Sequence, residues 1–134
     1  MKVVLDTNVL MSGIFFGGPP GRILQAWRSR KLQLAVSVDV LEEYLNVADR
    51  LAARYTNVDY QGILGLIVEH AELIQASGLK ESVCEDPDDD KFLACAIAAN
   101  AEIVVSGDKA LLKASGYHGI QVRTPREFML EYLD

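Results

Sequence analysis

Histidine and cysteine are both scarce in this chain, and each scarcity excludes a class of chemistry. His70 and His118 stand far apart, and Cys84 and Cys95 are the only cysteines. A zinc centre built on His and Cys ligands is therefore not expected. Neither cysteine belongs to a C-x-x-C motif, so a disulfide framework is not expected and a reducing cytoplasm fits. Long apolar runs are missing too: none approaches the roughly 18 residues of a membrane-spanning helix. The start, Met1-Lys2-Val3-Val4-Leu5-Asp6, meets an acid too soon for the apolar core of a signal peptide. Basic residues are in deficit, 13 Lys and Arg against 19 Asp and Glu, for a net charge of −6. That balance argues against coating duplex DNA by charge alone. It leaves room for a carboxylate cluster whose metal ions reverse the local sign. No G-x-x-x-x-G-K-[ST], G-x-G-x-x-G or G-x-S-x-G pattern occurs, so Gly17-Gly18-Pro19-Pro20-Gly21 reads as a flexible loop near the site.

What is present is an ordinary globular composition. Half of the 134 residues are hydrophobic, enough for one core but too few for two, which predicts a single domain over 1–134. Val3-Val4-Leu5 is a short apolar run that stops at Asp6, the pattern of a buried strand ending in an acid. Further strands are predicted at 32–36, 72–75, 102–105 and 119–122. Helices are predicted over 22–30, from Ser37 to about Arg54, over 59–70, over 92–100 and near 111–114. A last helix follows the Thr124-Pro125 start, where Glu127 completes a capping box. The segment 84–90 reads as an acidic loop. Strands alternating with helices imply an α/β sandwich with a mostly parallel sheet, whose ligands bind beyond the carboxyl ends of the strands.

Four acidic places converge on that edge: Asp6, Glu42 or Glu43 on the Ser37 helix, the 86–90 cluster, and Asp108 after Ile103-Val104-Val105. Each taken alone has an ordinary reading, as a turn, a helix cap or a solvated helix acid. Together they point to a site, because carboxylates brought close repel one another and a hard divalent cation relieves the cost. Two such ions about 3.5–4 Å apart activate a water and stabilise the leaving oxygen of a phosphodiester without a histidine.

The ordered set resembles the PIN-domain family of metal-dependent ribonucleases over nearly the whole chain. Val3-Val4-Leu5-Asp6-Thr7-Asn8-Val9 resembles the family's opening strand and first metal-binding aspartate. Ser37-Val38-Asp39-Val40-Leu41-Glu42-Glu43-Tyr44 resembles the segment with the family glutamate, which selects Glu43 over Glu42. Asp86-Pro87-Asp88-Asp89-Asp90-Lys91-Phe92-Leu93 resembles the third motif, and Val104-Val105-Ser106-Gly107-Asp108-Lys109 the last. In the third motif Asp89 is favoured, with Asp90 as the runner-up and Asp86 as an additional ligand. Ala110 stands where related members often carry another acid, so a fifth carboxylate is missing.

The resemblance implies a three-layer sandwich around a five-stranded parallel sheet in the order 3-2-1-4-5. It implies Mg²⁺- or Mn²⁺-dependent hydrolysis of single-stranded or loop RNA, leaving 3′-hydroxyl and 5′-phosphate ends. Asp6, Glu43, Asp89 and Asp108 then hold the metal directly or through waters. Thr7 or Asn8 orients Asp6 or a phosphate oxygen, Ser106 orients Asp108, and Lys91 and Lys109 neutralise phosphate charge. The third motif is closest to a bacterial and archaeal subgroup described as toxin components of toxin–antitoxin pairs, which implies an antitoxin protein as partner, a homodimer and a cytoplasmic location. Two other readings compete. One is a phosphatase or phospho-accepting receiver, which Asn8 opposes by standing where a D-x-D motif needs its second acid. The other is a non-catalytic binding module.

Overall fold

Short apolar runs become the buried strands of one parallel sheet. The structure, a computed structural model, describes residues 1–79 and 81–133. The chain runs β1 (Lys2–Leu5), α1 (Thr7–Phe15), α2 (Gly18–Arg28), β2 (Gln33–Ser37), α3 (Val38–Ala52), α4 (Tyr60–His70) and β3 (Glu72–Ile74). It continues through a 3₁₀ turn (Pro87–Asp89), α5 (Asp90–Ala99), β4 (Ile103–Val105), α6 (Lys109–Lys113), a second 3₁₀ turn (Tyr117–Gly119), β5 (Gln121–Arg123) and α7 (Pro125–Phe128). A π-helical turn, Met129–Leu133, follows α7.

All strand pairs are parallel and the order is β3-β2-β1-β4-β5, as the resemblance implies. Val3 sits beside both Leu34 and Ile103, so β1 is the middle strand and is covered on both faces. Its apolar residues Val3, Val4 and Leu5 are fully buried, as are Val104 and Val105 of β4. Right-handed crossovers put α1 to α4 on one face and return α5 on the other. The contacts agree, because α1 meets α2, α3 and α4 while α5 meets β1, β2, β3 and β4. Tyr44, Phe92, Leu10, Ile23 and Phe128 fill the core between the layers.

Strand order reverses at β1. The chain leaves β3 on one side and returns in β4 on the other, which opens a crevice beyond the carboxyl ends of β1 and β4. Three helix starts border it. Asp6 precedes α1, Ser37 caps α3 by accepting from the Val40 amide at 3.2 Å, and Asp108 caps α6 by accepting from the Ala110 amide at 2.8 Å.

Two local expectations are corrected. The stretch 17–21 is not a free loop: α2 begins at Gly18 and takes both prolines into its first turn, where backbone amides have no intrahelical partner to lose. Gly17 and Gly18 both have positive φ and turn the chain between α1 and α2. The acidic segment 84–90 is likewise partly ordered, with Pro87–Asp89 forming a 3₁₀ turn and Asp90 opening α5. The C-terminal capping box forms as expected, Thr124 and Glu127 exchanging hydrogen bonds of 3.0 and 3.1 Å. Among the described residues no helix is long and apolar enough to cross a membrane.

Candidate active site

Asp6 follows the last residue of β1 and stays buried, because its own amide continues the ladder to the Val105 carbonyl at 2.9 Å. Its carbonyl accepts from the Val9 and Leu10 amides and so starts α1. Its Oδ2 accepts from the Ser106 hydroxyl at 2.6 Å. The same Ser106 oxygen accepts from the Asp108 amide at 2.9 Å. One buried hydroxyl therefore ties the acid after β1 to the loop that carries the acid after β4. Burial pushes the Asp6 carboxyl above the ordinary carboxylate range. Ser106 and the Asn8 amide pull it partly back, and the charges of Asp108 and Glu43 push it up again.

Glu43 reaches the same crevice from the second turn of α3. Its Oε2 accepts from the Thr7 hydroxyl, and its Oε1 lies 2.9 Å from the Lys91 ammonium. Thr7 thus orients Glu43, not Asp6, and the Asn8 contribution to Asp6 comes from its backbone amide. Burial works against the Lys91 charge, but the hydrogen bond and the charge of Glu43 raise its pKa beyond the usual lysine value. Glu42 is exposed and lines, with Asp39, Asn46, Arg50 and Lys91, a groove that runs along α3 to Glu43. Behind Glu43, the buried Tyr44 hydroxyl donates to the Leu5 carbonyl and pins α3 to the end of β1.

The three candidate aspartates of the third motif separate by environment. Asp90 turns to the preceding loop, accepting from the Cys84 amide at 2.8 Å and the Val83 amide at 3.2 Å. Burial opposes its charge, but those hydrogen bonds hold its carboxyl below the ordinary range. Asp86 is exposed and accepts from the Asp88 amide at 3.0 Å as the cap of the 3₁₀ turn. Asp89 alone faces the other acids. Burial, then the charges of Asp108, Asp6, Asp86 and Glu43, push its carboxyl up to about 7. Its Oδ2 is buried with no hydrogen-bond partner among the described residues.

An oxygen-only cluster in which burial and neighbouring charge raise Asp6 and Asp89 suits a hard divalent cation. The orphaned Asp89 oxygen fits the same ligand, since an unpaired buried acceptor is costly. Among the described residues, no three His, Cys, Asp or Glu side chains are arranged to hold an ion as they stand. Mg²⁺ keeps several waters and binds through only one or two carboxylates, so such a site is completed by solvent.

Sequence reasoning had placed Lys91 as a phosphate partner and missed its pairing with Glu43. The Tyr44 hydrogen bond to the Leu5 carbonyl likewise has no signal in the sequence.

Comparison with known proteins follows the same lines. A family model described as PIN domain matches residues 2–110. The uncharacterized protein MJ1680 of Methanocaldococcus jannaschii is 30% identical over 144 aligned positions, which cover 98% of this chain and 92% of the relative.

Proposed function

The chain belongs to the PIN-domain family, a nuclease family, and from that premise we propose that it is a metal-dependent endoribonuclease acting on single-stranded or loop RNA. The observation that carries this reading is the Asp89 Oδ2, buried with no hydrogen-bond partner among the described residues and beside Asp108, Asp6 and Glu43, whose charges disfavour its own.

Asp6, Asp89 and Asp108 would hold Mg²⁺ or Mn²⁺ directly or through waters, and Glu43 lines the same crevice. The environment of Asp89 supports it as the ligand of its motif, because Asp90 already anchors the Val83 and Cys84 amides and Asp86 caps the 3₁₀ turn. When bound, the metal supplies an activated water and stabilisation of the leaving oxygen. Ser106 fixes the Asp6 carboxylate, and Thr7 fixes Glu43. Lys109 is exposed beside Asp108 and meets phosphate charge. A role as the toxin of a toxin–antitoxin pair, with a homodimer and a cytoplasmic location, is part of this proposal. It rests on the third motif's likeness to that subgroup. An antitoxin would act by covering the acidic crevice.

The test compares wild type with an Asp6→Asn/Asp108→Asn double variant on mixed single-stranded RNA in Mn²⁺, Mg²⁺ and EDTA. Cleavage by wild type alone, abolished by EDTA, is the expected result. Equal cleavage by the double variant would sink the reading. Metal binding without cleavage of any RNA would favour a binding module instead.

A further inference from the structure

We propose that Lys91 is a resident second cation of this site, so that the chain takes one divalent ion and not two. The inference rests on the nuclease reading above and deepens it by giving Glu43 to Lys91 instead of to a metal.

Both oxygens of Glu43 already have partners, Lys91 Nζ at 2.9 Å and the Thr7 hydroxyl. A divalent ion on Glu43 would have to sit against the ammonium, and two like charges at that range repel strongly where solvent screens poorly. The pair is in such a place, with side chains only 24% and 28% exposed. The remaining acids divide differently. Asp108 has one oxygen on the Ala110 amide and Asp6 has one on Ser106. Asp89 keeps a buried oxygen with no hydrogen-bond partner among the described residues. Asp6, Asp89 and Asp108 are therefore the acids left to a single ion, which would bind through one or two of them with solvent completing its shell. Beyond Asp108, α6 adds no acid, since Lys109, Ala110 and Leu111 follow.

The Glu43 side of the crevice holds a cation built into the chain. Lys91 also lines the groove along α3, together with Arg50. A phosphodiester entering by that groove would meet the Lys91 ammonium where it borders the acidic crevice. Glu43 and Thr7 position the ammonium, and Lys91 is the group that touches the phosphate.

The experiment is a Mn²⁺ titration of the full chain, read by electron paramagnetic resonance and calorimetry, with RNA cleavage measured in parallel. Wild type is expected to bind one Mn²⁺. Glu43→Gln is expected to keep that ion with little change in affinity, whereas Asp89→Asn weakens it about tenfold or more. Lys91→Met frees Glu43, so a second Mn²⁺ appears while cleavage at saturating metal falls about 10²-fold. Lys91→Arg keeps one ion and recovers most of the cleavage, which a merely structural role would not require. Two ions on wild type, loss of the first ion in Glu43→Gln, or one ion on Lys91→Met would each overturn the proposal. Absence of any Mn²⁺ on wild type would overturn the nuclease reading itself, a result distinct from those three.

Discussion

Ser106 donates a 2.6 Å hydrogen bond to Asp6 across a sequence separation of 100 residues, and the parallel pairing of β1 with β4 is what brings them together. The hydroxyl is fully buried and holds two things at once, the Asp6 carboxylate and the Asp108 amide.

Ser106→Ala removes both partners and leaves a buried acceptor and a partly buried donor. The expected cost to stability is about 1–3 kcal/mol. Asp6 loses a contact that pulls its pKa down, so its carboxyl moves further up and its affinity for metal falls. Denaturant melts in EDTA, beside Mn²⁺ titrations, measure the two effects. A stable variant with unchanged metal affinity would show that the Ser106 bridge does not organise the site.

The metal-free site also predicts how stability depends on pH. Asp89 is pushed up to about 7 and Asp6 is raised as well. A carboxyl whose folded pKa lies above its unfolded value binds its proton more tightly when folded. Protonation therefore favours the fold, and that advantage is lost as pH rises from about 4 through about 7. In EDTA, Tm should fall between about pH 5.5 and pH 8, and Asp89→Asn should remove most of the fall. Mn²⁺ should raise Tm more at the upper pH, where it relieves the repulsion. Thermal melts at both pH values, with and without metal, check this. A Tm in EDTA that rises over that range would contradict the site's electrostatics.

Much of this fold was legible because its strands are short, apolar and ended by polar residues. Val3-Val4-Leu5 and Ile103-Val104-Val105 announce themselves, and the acids after them mark the crevice. The helix caps at Ser37 and Thr124 were equally plain, since capping chemistry is local. What escaped depends on packing. Helix α1 carries an apolar stretch, Val9-Leu10-Met11, with no clear polar face, so periodicity did not reveal it. Pro19 and Pro20 read as breakers, yet a proline is harmless in a first turn. The Lys91–Glu43 pair spans 48 residues and follows only once α3 and α5 are placed together.

The close approach of α1 to α2 gives a prediction about the fold alone. A Cβ at Gly13 would lie 2.7 Å from Leu24 Cδ1 and 2.9 Å from the Pro20 carbonyl oxygen, so backbone would have to move. Gly13→Ala gains about 1 kcal/mol of helix propensity but should lose about 1–3 kcal/mol to overpacking, for a net loss. At Gly65, inside α4, an added Cβ meets nothing within 4 Å. There Gly65→Ala should stabilise by about 0.5–1 kcal/mol. Paired denaturant melts decide the matter, and a stabilising Gly13→Ala would mean that α1 and α2 lie further apart.

Asp89 and Asp90 are neighbours in sequence, and their substitutions should move stability in opposite directions. Asp90 secures the Val83 and Cys84 amides, and its pKa is held below the ordinary range. A carboxyl with a depressed folded pKa stabilises the fold above its unfolded value and loses that contribution as pH falls through the folded one. Asp90→Ala should therefore cost about 1–3 kcal/mol at neutral pH, less in acid, while metal stoichiometry is kept. Asp89→Asn relieves repulsion instead, so the metal-free protein should gain stability at neutral pH and bind metal more weakly. Melts in EDTA and Mn²⁺ titrations on both variants separate anchor from ligand. Were Asp90→Ala to abolish metal binding in a still-folded protein while Asp89→Asn kept it, the two roles would have to be exchanged.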